Sequence, residues 1–276
     1  MSQDHYCVLG NPVEHSRSPW IHARFAELTG QTLHYGRQRI ELGQFAAGIA
    51  ALQAEGYKGC NITVPFKFEA AELAQHRSPR AQLAGAANVL SLRADGLHAD
   101  NTDGIGLVKD IEDNAGRPLA GEDVLLIGAG GASAGVLGPL LEARPARLVV
   151  VNRTHSKAVD LVARHQALAD RCGCRLEAPA IEALDGHYGV VINATASSLS
   201  GAEVPVPASV LRPGSLALDM MYGPAAQGFL NWAAAHGAQG RDGLGMLVEQ
   251  AAEAFALWRG VRPPSAQVLA ELRALL

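Results

Sequence analysis

Gly128, Gly130 and Gly131 crowd one turn, and Gly135 follows four residues later. Directly before them lies the apolar run 124–127, which suits a buried parallel strand. Glycine lets the backbone bend sharply and lets a phosphate come close to bare amides. A helix beginning near Gly131 would aim its N-terminal N–H groups and positive dipole end at that anion. The chemistry expected here is pyrophosphate binding. The turn departs from G-x-G-x-x-G because Ser133 holds the sixth position, so its meaning rests on its context, strand before and helix after. A second apolar run, 148–151, ends in Asn152-Arg153-Thr154, with Lys157 one turn on. An NAD site usually carries an acid at that strand end for the ribose 2′-hydroxyl. A guanidinium matches a phosphate instead, and an acid would repel it. A 2′-phosphate is therefore expected, and with it NADP(H) rather than NAD. Each feature has a plainer reading when taken alone: a tight turn that binds nothing, and a solvated surface arginine. Their joint position on one strand–turn–helix–strand unit favours the dinucleotide.

Further polar residues collect next to strand ends, where α/β folds place ligand sites: 11–18, 61–67, Asn88, 101–103, Tyr222 and 242–250. Lys67 follows Pro65-Phe66 at a helix start, where a cation faces the unfavourable dipole end. That placement points to a purpose other than helix stability, although exposed lysines are the rule. Asp103 heads another helix and reads equally well as an N-cap or first-turn acid.

The elements that must hold these residues alternate. Strands are expected at 6–10, 33–40, 59–64, 124–127, 148–151, 189–194 and 215–220, and a hairpin at 88–92 and 97–100 around Asp95-Gly96. Helices are expected after Pro19, with Ser18 as the N-cap, and at 45–52, 66–73, 79–83, from 105, from 131, and at 157–168, 247–258 and 266–275. The fold class is α/β with two domains. An N-terminal α/β substrate domain (1–103 plus 245–276) and a Rossmann-type dinucleotide-binding domain (104–244) would share an active-site cleft.

The 276 residues, 48% hydrophobic and 18% charged, belong to a globular chain with a real core. The net charge of −4 and scattered cations give no basic tract, so no nucleic-acid partner is expected. No apolar run approaches a membrane span. The opening M-S-Q-D-H-Y lacks a secretory pattern, so a cytoplasmic setting is expected. Cys7, Cys60, Cys172 and Cys174 form neither a disulfide framework nor a zinc set, and Cys172-Gly173-Cys174 reads as free thiols in a loop. No metal is expected.

Eight short runs, in order over nearly the whole chain, resemble the shikimate dehydrogenase family. They are Gly10-Asn11-Pro12 with His15-Ser16-Arg17-Ser18-Pro19, Asn61 to Lys67, Leu83 to Asn88, Asp100 to Gly104, Gly128 to Ala132, Asn152-Arg153-Thr154, Asp219 to Tyr222, and Asp242 to Leu247. The resemblance implies reversible, NADPH-dependent reduction of 3-dehydroshikimate to shikimate. It implies Lys67 and Asp103 as the catalytic pair, since a ketone oxygen that develops charge during hydride addition must gain a proton. How the two share that role stays open. It implies Ser16, Ser18 and Tyr222 as carboxylate donors, and Thr63, Asn88 and Gln250 as readers of the ring hydroxyls. For the cofactor it implies Gly128, Ala129, Gly130, Gly131, Ala132, Asn152, Arg153, Thr154, Lys157, Asn193, Thr195, Met220 and Gly243. Departures fall at Ala134, where many relatives carry a basic residue, near Pro79, in 193–199 and in 223–228. An NAD-using quinate/shikimate dehydrogenase and a non-catalytic NADP(H)-binding regulator are the alternatives. Small molecules are the only partners implied, for a monomer or homodimer.

Overall fold

Aliphatic and β-branched runs build two six-stranded sheets, each with its own core. The computed structural model describes residues 3–195 and 203–276; the atypical stretch Ala196 to Leu199 lies outside them. In chain order the elements are β1 (Asp4–Gly10), α1 (Ser18–Thr29), β2 (Leu33–Arg39), α2 (Phe45–Ala54), β3 (Gly59–Ile62), α3 (Lys67–Leu73), β4 (His76–Arg77), α4 (Pro79–Ala84), β5 (Val89–Arg93), β6 (Gly96–Asp100) and α5 (Asp103–Lys109). They continue with β7 (Asp123–Ile127), α6 (Gly131–Glu142), β8 (Arg147–Val151), α7 (His155–Cys172), β9 (Arg175–Glu177), β10 (Tyr188–Asn193), β11 (Leu211–Asp219), α8 (Gln227–Ala235), β12 (Gln239–Arg241), α9 (Leu244–Arg259) and α10 (Ser265–Ala274). Two compact units result, Met1–Gly106 with Val248–Leu276, and Leu107–Leu247. Among the described residues no helix is long and apolar enough to cross a membrane.

The first unit holds the sheet β2-β1-β3-β5-β6-β4. β2, β1 and β3 run parallel, β5 runs against β3 and β6, and β4 runs parallel to β6. Its core joins Leu9, Ile62 and Leu90 of the sheet to Ile49 of α2. The stacked rings of Phe45 and Phe66, 5.2 Å apart, sit in the same cluster. The C-terminal helix is tied to the first one by a two-point bond from the Arg24 guanidinium to Glu271, at 2.7 and 2.9 Å. The second unit holds β12-β11-β10-β7-β8-β9, every neighbour pair parallel. Numbered within this unit the order is 6-5-4-1-2-3, the doubly wound arrangement of dinucleotide-binding sheets. Its central strands β7, β8 and β10 are buried almost throughout, as strands of a parallel sheet covered on both faces are.

Three local expectations need correction. Ser18 is not the N-cap of α1. Arg17 already has helical backbone angles, and Ser18 is the first helical residue, its N–H 3.2 Å from Ser16 Oγ. Cys172 and Cys174 do not share a loop. Cys172 closes α7, Gly173 caps it in the left-handed region, and Cys174 is buried; both thiols are free. The short strands β4, β9 and β12 and the helix α8 escaped the pattern reading. Strands of two or three residues have no periodicity of their own and exist only by pairing at or near an edge.

In the first unit the buried imidazole of His22 makes no ring-nitrogen hydrogen bond of ordinary geometry among the described residues. His22 of α1 lies flat on Tyr35 (centroids 4.1 Å apart, planes 4° apart) with Phe25 edge-on at 6.0 Å. Burial pushes its pKa down from 6.5 to about 3, against a smaller upward pull from the Asn61 side chain. Between those values the unfolded chain takes up a proton that the folded chain refuses, so stability falls as pH drops through that window. The limiting slope from this one residue is about 1.4 kcal/mol per pH unit. Urea melts of wild type and His22→Phe from about pH 4 to pH 7 check this: the variant should lose less stability on acidification. Equal acid sensitivity in both would show that His22 is not the group responsible.

Candidate active site

Strand polarity gathers the polar loops of the first unit. β1 and β3 point one way and β5 the other, so the carboxyl ends of β1, β3 and β6 meet the amino end of β5 at one edge of the sheet. That edge carries Asn11 to Ser18, Thr63 to Lys67, Asn88, and Asn101 to Asp103. Lys67 opens α3 and Asp103 opens α5. The Lys67 ammonium donates to Asp103 Oδ2 at 2.6 Å, with side-chain exposures of 16% and 6%. Lys67 is thus not a solvated helix lysine, and the Asp103 carboxylate does not cap its own helix. The Asp103 N–H is instead 3.1 Å from Asn101 Oδ1.

Asn88 is the hub beside this pair. Its amide nitrogen lies 2.9 Å from Asp103 Oδ1, 2.9 Å from Thr102 Oγ1 and 3.1 Å from Gln250 Oε1 of α9. Two N–H bonds serve three acceptors. Its side-chain Oδ1 accepts from the Thr102 N–H at 2.8 Å. Asn88, Thr102, Asp103 and Gln250 are all buried. On the other side, the Tyr35 hydroxyl donates to Asn61 Oδ1 at 2.6 Å, and the Asn61 side-chain amide is 3.3 Å from the backbone carbonyl of Asn88. Thr63 is half-buried just after β3, and its methyl occupies the space a side chain at residue 10 would need, so Gly10 is required there. Ser18 is buried and Ser16 half-buried in the loop before α1. Tyr222 belongs to the second unit, just before a short 3₁₀ turn, Gly223–Ala226.

In the second unit the loops follow the carboxyl ends of parallel strands. Gly128 leaves β7 with φ at +117°, a value that excludes ordinary side chains. A Cβ at Gly130 would meet nothing within 4 Å, so the turn is open where an anion would approach. α6 starts at Gly131, and its first-turn N–H groups border this space. The Ser133 hydroxyl is buried without a partner among the described residues, beside Gly128. Ala129 and Ala132 complete a turn with no bulk and no negative charge. These features fit a pyrophosphate. At the end of β8, Asn152 Nδ2 closes on the Thr154 carbonyl at 2.8 Å. Thr154 caps α7 by backbone only, leaving its hydroxyl off the helix. Arg153 and Lys157 are exposed and make no ion pair among the described residues. Two cations at that strand end fit a 2′-phosphate. After β10, the Thr195 hydroxyl donates to Asn193 Oδ1 at 2.7 Å, and Asn193 Nδ2 donates to Asp219 Oδ2 at 3.0 Å. Gly243 passes so close to the Met220 carbonyl that a Cβ there would overlap it.

The residues missed by sequence reasoning are the buried supports: Tyr35, and the individual parts played by Asn61, Asn101 and Thr102. Asn61, Asn101 and Thr102 stand inside polar runs that did signal a site. Tyr35 lies within an alternating strand and gives no such signal.

Comparison with known proteins adds the following. A family model described as the shikimate dehydrogenase substrate binding domain matches residues 8–90. One described as shikimate / quinate 5-dehydrogenase matches residues 110–201, and one described as the shikimate 5′-dehydrogenase C-terminal domain matches residues 243–273. The chain is 66% identical over 273 residues to shikimate dehydrogenase (NADP(+)) of Acidovorax sp. (strain JS42), covering 99% of this chain and 97% of that one. Among solved structures, an Ael1 enzyme from Pseudomonas putida aligns with a TM-score of 0.90 at 47% identity, covering 98% of both chains. The shikimate 5-dehydrogenase of Thermus thermophilus in complex with NADP(H) and shikimate aligns with a TM-score of 0.83 at 32% identity, covering 99% of this chain and all of that one.

The close approach at Gly243 has a measurable consequence. Gly243→Ala forces either the backbone after β11 or the start of α9 to move, which should cost about 1–3 kcal/mol as overpacking does. Urea unfolding of the two proteins checks it, and equal midpoints would mean the loop yields freely.

Proposed function

The chain belongs to the shikimate dehydrogenase family, and we propose that it catalyses the reversible reduction of 3-dehydroshikimate to shikimate with NADPH, a step of chorismate and aromatic amino-acid biosynthesis. The observation that carries this reading is the part-buried Lys67–Asp103 pair at the loop-bearing edge of the first sheet. The first unit is the substrate domain and the second the cofactor domain. Small molecules are its partners, and a monomer or homodimer in the cytoplasm is its proposed setting.

The glycine turn from Gly128 to Ala132 and the amino end of α6 would hold the pyrophosphate. Arg153, Asn152, Thr154 and Lys157 would hold the 2′-phosphate, and Thr195, Met220 and Gly243 would border the nicotinamide half. When bound, NADPH supplies a hydride to the ketone carbon. The remaining chemistry belongs to this chain. Negative charge gathers on the ketone oxygen as the carbon is reduced, and Lys67 Nζ gives that oxygen a proton. In the reverse direction the same amine takes the proton back. Asp103 fixes the ammonium by a charge-assisted hydrogen bond, so it is aimed before substrate arrives. Its second oxygen is held by Asn88, which prevents the carboxylate from rotating away. Ser16, Ser18 and Tyr222 hydroxyls would bind the substrate carboxylate, and Thr63, Asn88 and Gln250 the ring hydroxyls. Neutral hydroxyl donors can satisfy a single carboxylate through charge-assisted hydrogen bonds.

The test is a spectrophotometric assay with NADP and shikimate, crossed with NAD and quinate. Turnover is expected with NADP and shikimate. Preferential turnover with NAD and quinate would move the protein to a catabolic role, and NADPH binding without turnover would make it a regulator. In the same assay Lys67→Ala should lower kcat at least ~100-fold with little change in KM. Near-wild-type turnover would remove Lys67 from the mechanism. Arg153→Asp should raise KM for NADP and shift the preference toward NAD; an unaltered ratio would disprove the reading of the β8 end.

A further inference from the structure

Away from the residues discussed above, the edge of the first sheet carries a second cluster of ligating side chains. His76 of β4 and His98 of β6 are register partners in a parallel strand pair, so both side chains leave the sheet on the same face. Their rings stack with centroids 4.3 Å apart. Asp95 lies in the two-residue turn between β5 and β6. His98 Nε2 is 3.0 Å from Asp95 Oδ1, and His76 Nε2 is 3.2 Å from the Asp95 carbonyl oxygen. Both imidazoles therefore present the same nitrogen to the same residue. One ligand atom from each of the three side chains lies within 4.8 Å of the others.

We propose that His76, Asp95 and His98 form a binding site for a divalent transition-metal ion of the zinc class, with water completing the coordination. Zinc bonds of about 2.0–2.2 Å to nitrogen and oxygen place tetrahedral donors roughly 3.4 Å apart. His98 Nε2 and Asp95 Oδ1 are already 3.0 Å apart and all three donors lie within 4.8 Å, and His76 and Asp95 are exposed enough to close the remainder by side-chain rotation. Two imidazoles and one carboxylate select zinc, nickel or copper, and they discriminate against magnesium and calcium, which want oxygen ligands. The carboxylate supplies the negative charge. Arg77 and Arg93 border the adjoining groove and oppose the cation, but both are exposed, so solvent and salt screen them. The ion would tie the two-residue edge strand β4 to the β5–β6 hairpin. An ion that binds only the folded form stabilises it.

The molecule contains its own control. His5 and His34 are also register partners in a parallel pair, with ring centroids 5.4 Å apart. Among the described residues no third ligating side chain completes that pair.

The experiment is calorimetric titration of the full chain, free of any affinity tag and stripped with chelator, with zinc chloride and separately with magnesium chloride. The expected result is one zinc per chain and no magnesium binding. His76→Gln and His98→Ala should each weaken zinc at least ~10-fold, the minimum seen for losing even a supporting group, and His34→Ala should not. Asp95→Asn keeps the backbone carbonyl that meets His76, so it tests the carboxylate with the turn intact, and it should also weaken binding. Far-UV circular dichroism and turnover with NADP and shikimate should be unchanged in all four. Absence of zinc binding, undiminished binding in the His76 and His98 variants, or an equal loss in His34→Ala would each overturn the proposal.

Discussion

Lys67 and Asp103 meet at 2.6 Å with little exposure, and opposite charges held out of water are tolerable only when their remaining valences are satisfied. Breaking such a pair by deleting one partner typically costs about 3–5 kcal/mol, because the other charge is left buried alone. The first unit is arranged to prevent that. The second oxygen of Asp103 accepts from Asn88, and its N–H is met by Asn101. Asn88 in turn needs the backbone of Thr102 and the side chain of Gln250. Because Asn88 immediately precedes β5, and Asn101 to Asp103 immediately follow β6, the hairpin between those strands sets the geometry of the whole network. Gln250 comes from α9, more than a hundred residues later, so the charge pair also depends on the C-terminal helices returning to this unit.

The two sheets solve the same placement problem by different means. In the second unit all strands run parallel, so every carboxyl end falls on one edge, and with it Gly128, Asn152, Asn193 and Met220. In the first unit the sheet is mixed, and one antiparallel strand inserts its amino end among carboxyl ends. That exception delivers Asn88. A fully parallel sheet would have sent it to the opposite edge, away from Lys67.

Much of this was legible beforehand, and for identifiable reasons. The turn at Gly128 carries its requirement in its residue types, since φ of +117° excludes ordinary side chains. Arg153 is informative through its place after a strand rather than through any contact. Apolar runs such as 148–151 announce buried parallel strands by length and composition. The Ser18 cap failed because capping depends on the backbone angles of Arg17, which no composition rule supplies. β4, β9 and β12 failed because two or three residues hold no pattern. β4 matters here, since it brings His76 to His98 across 22 positions of sequence with nothing local to announce it.

The sequence by itself determined the α/β alternation, the glycine turn after β7, the cations after β8, and the family. These are properties of short contiguous segments, where residue type and spacing act directly on backbone angles, burial and charge. Tertiary structure decided which polar residues touch. The 36 positions between Lys67 and Asp103, and the 162 between Asn88 and Gln250, are closed by strand order and helix return. Those in turn follow from burying two separate apolar cores. Whether a lysine is a solvated charge or the half-buried partner of a carboxylate depends on that closure, so its identity was visible in the chain and its environment only in the fold.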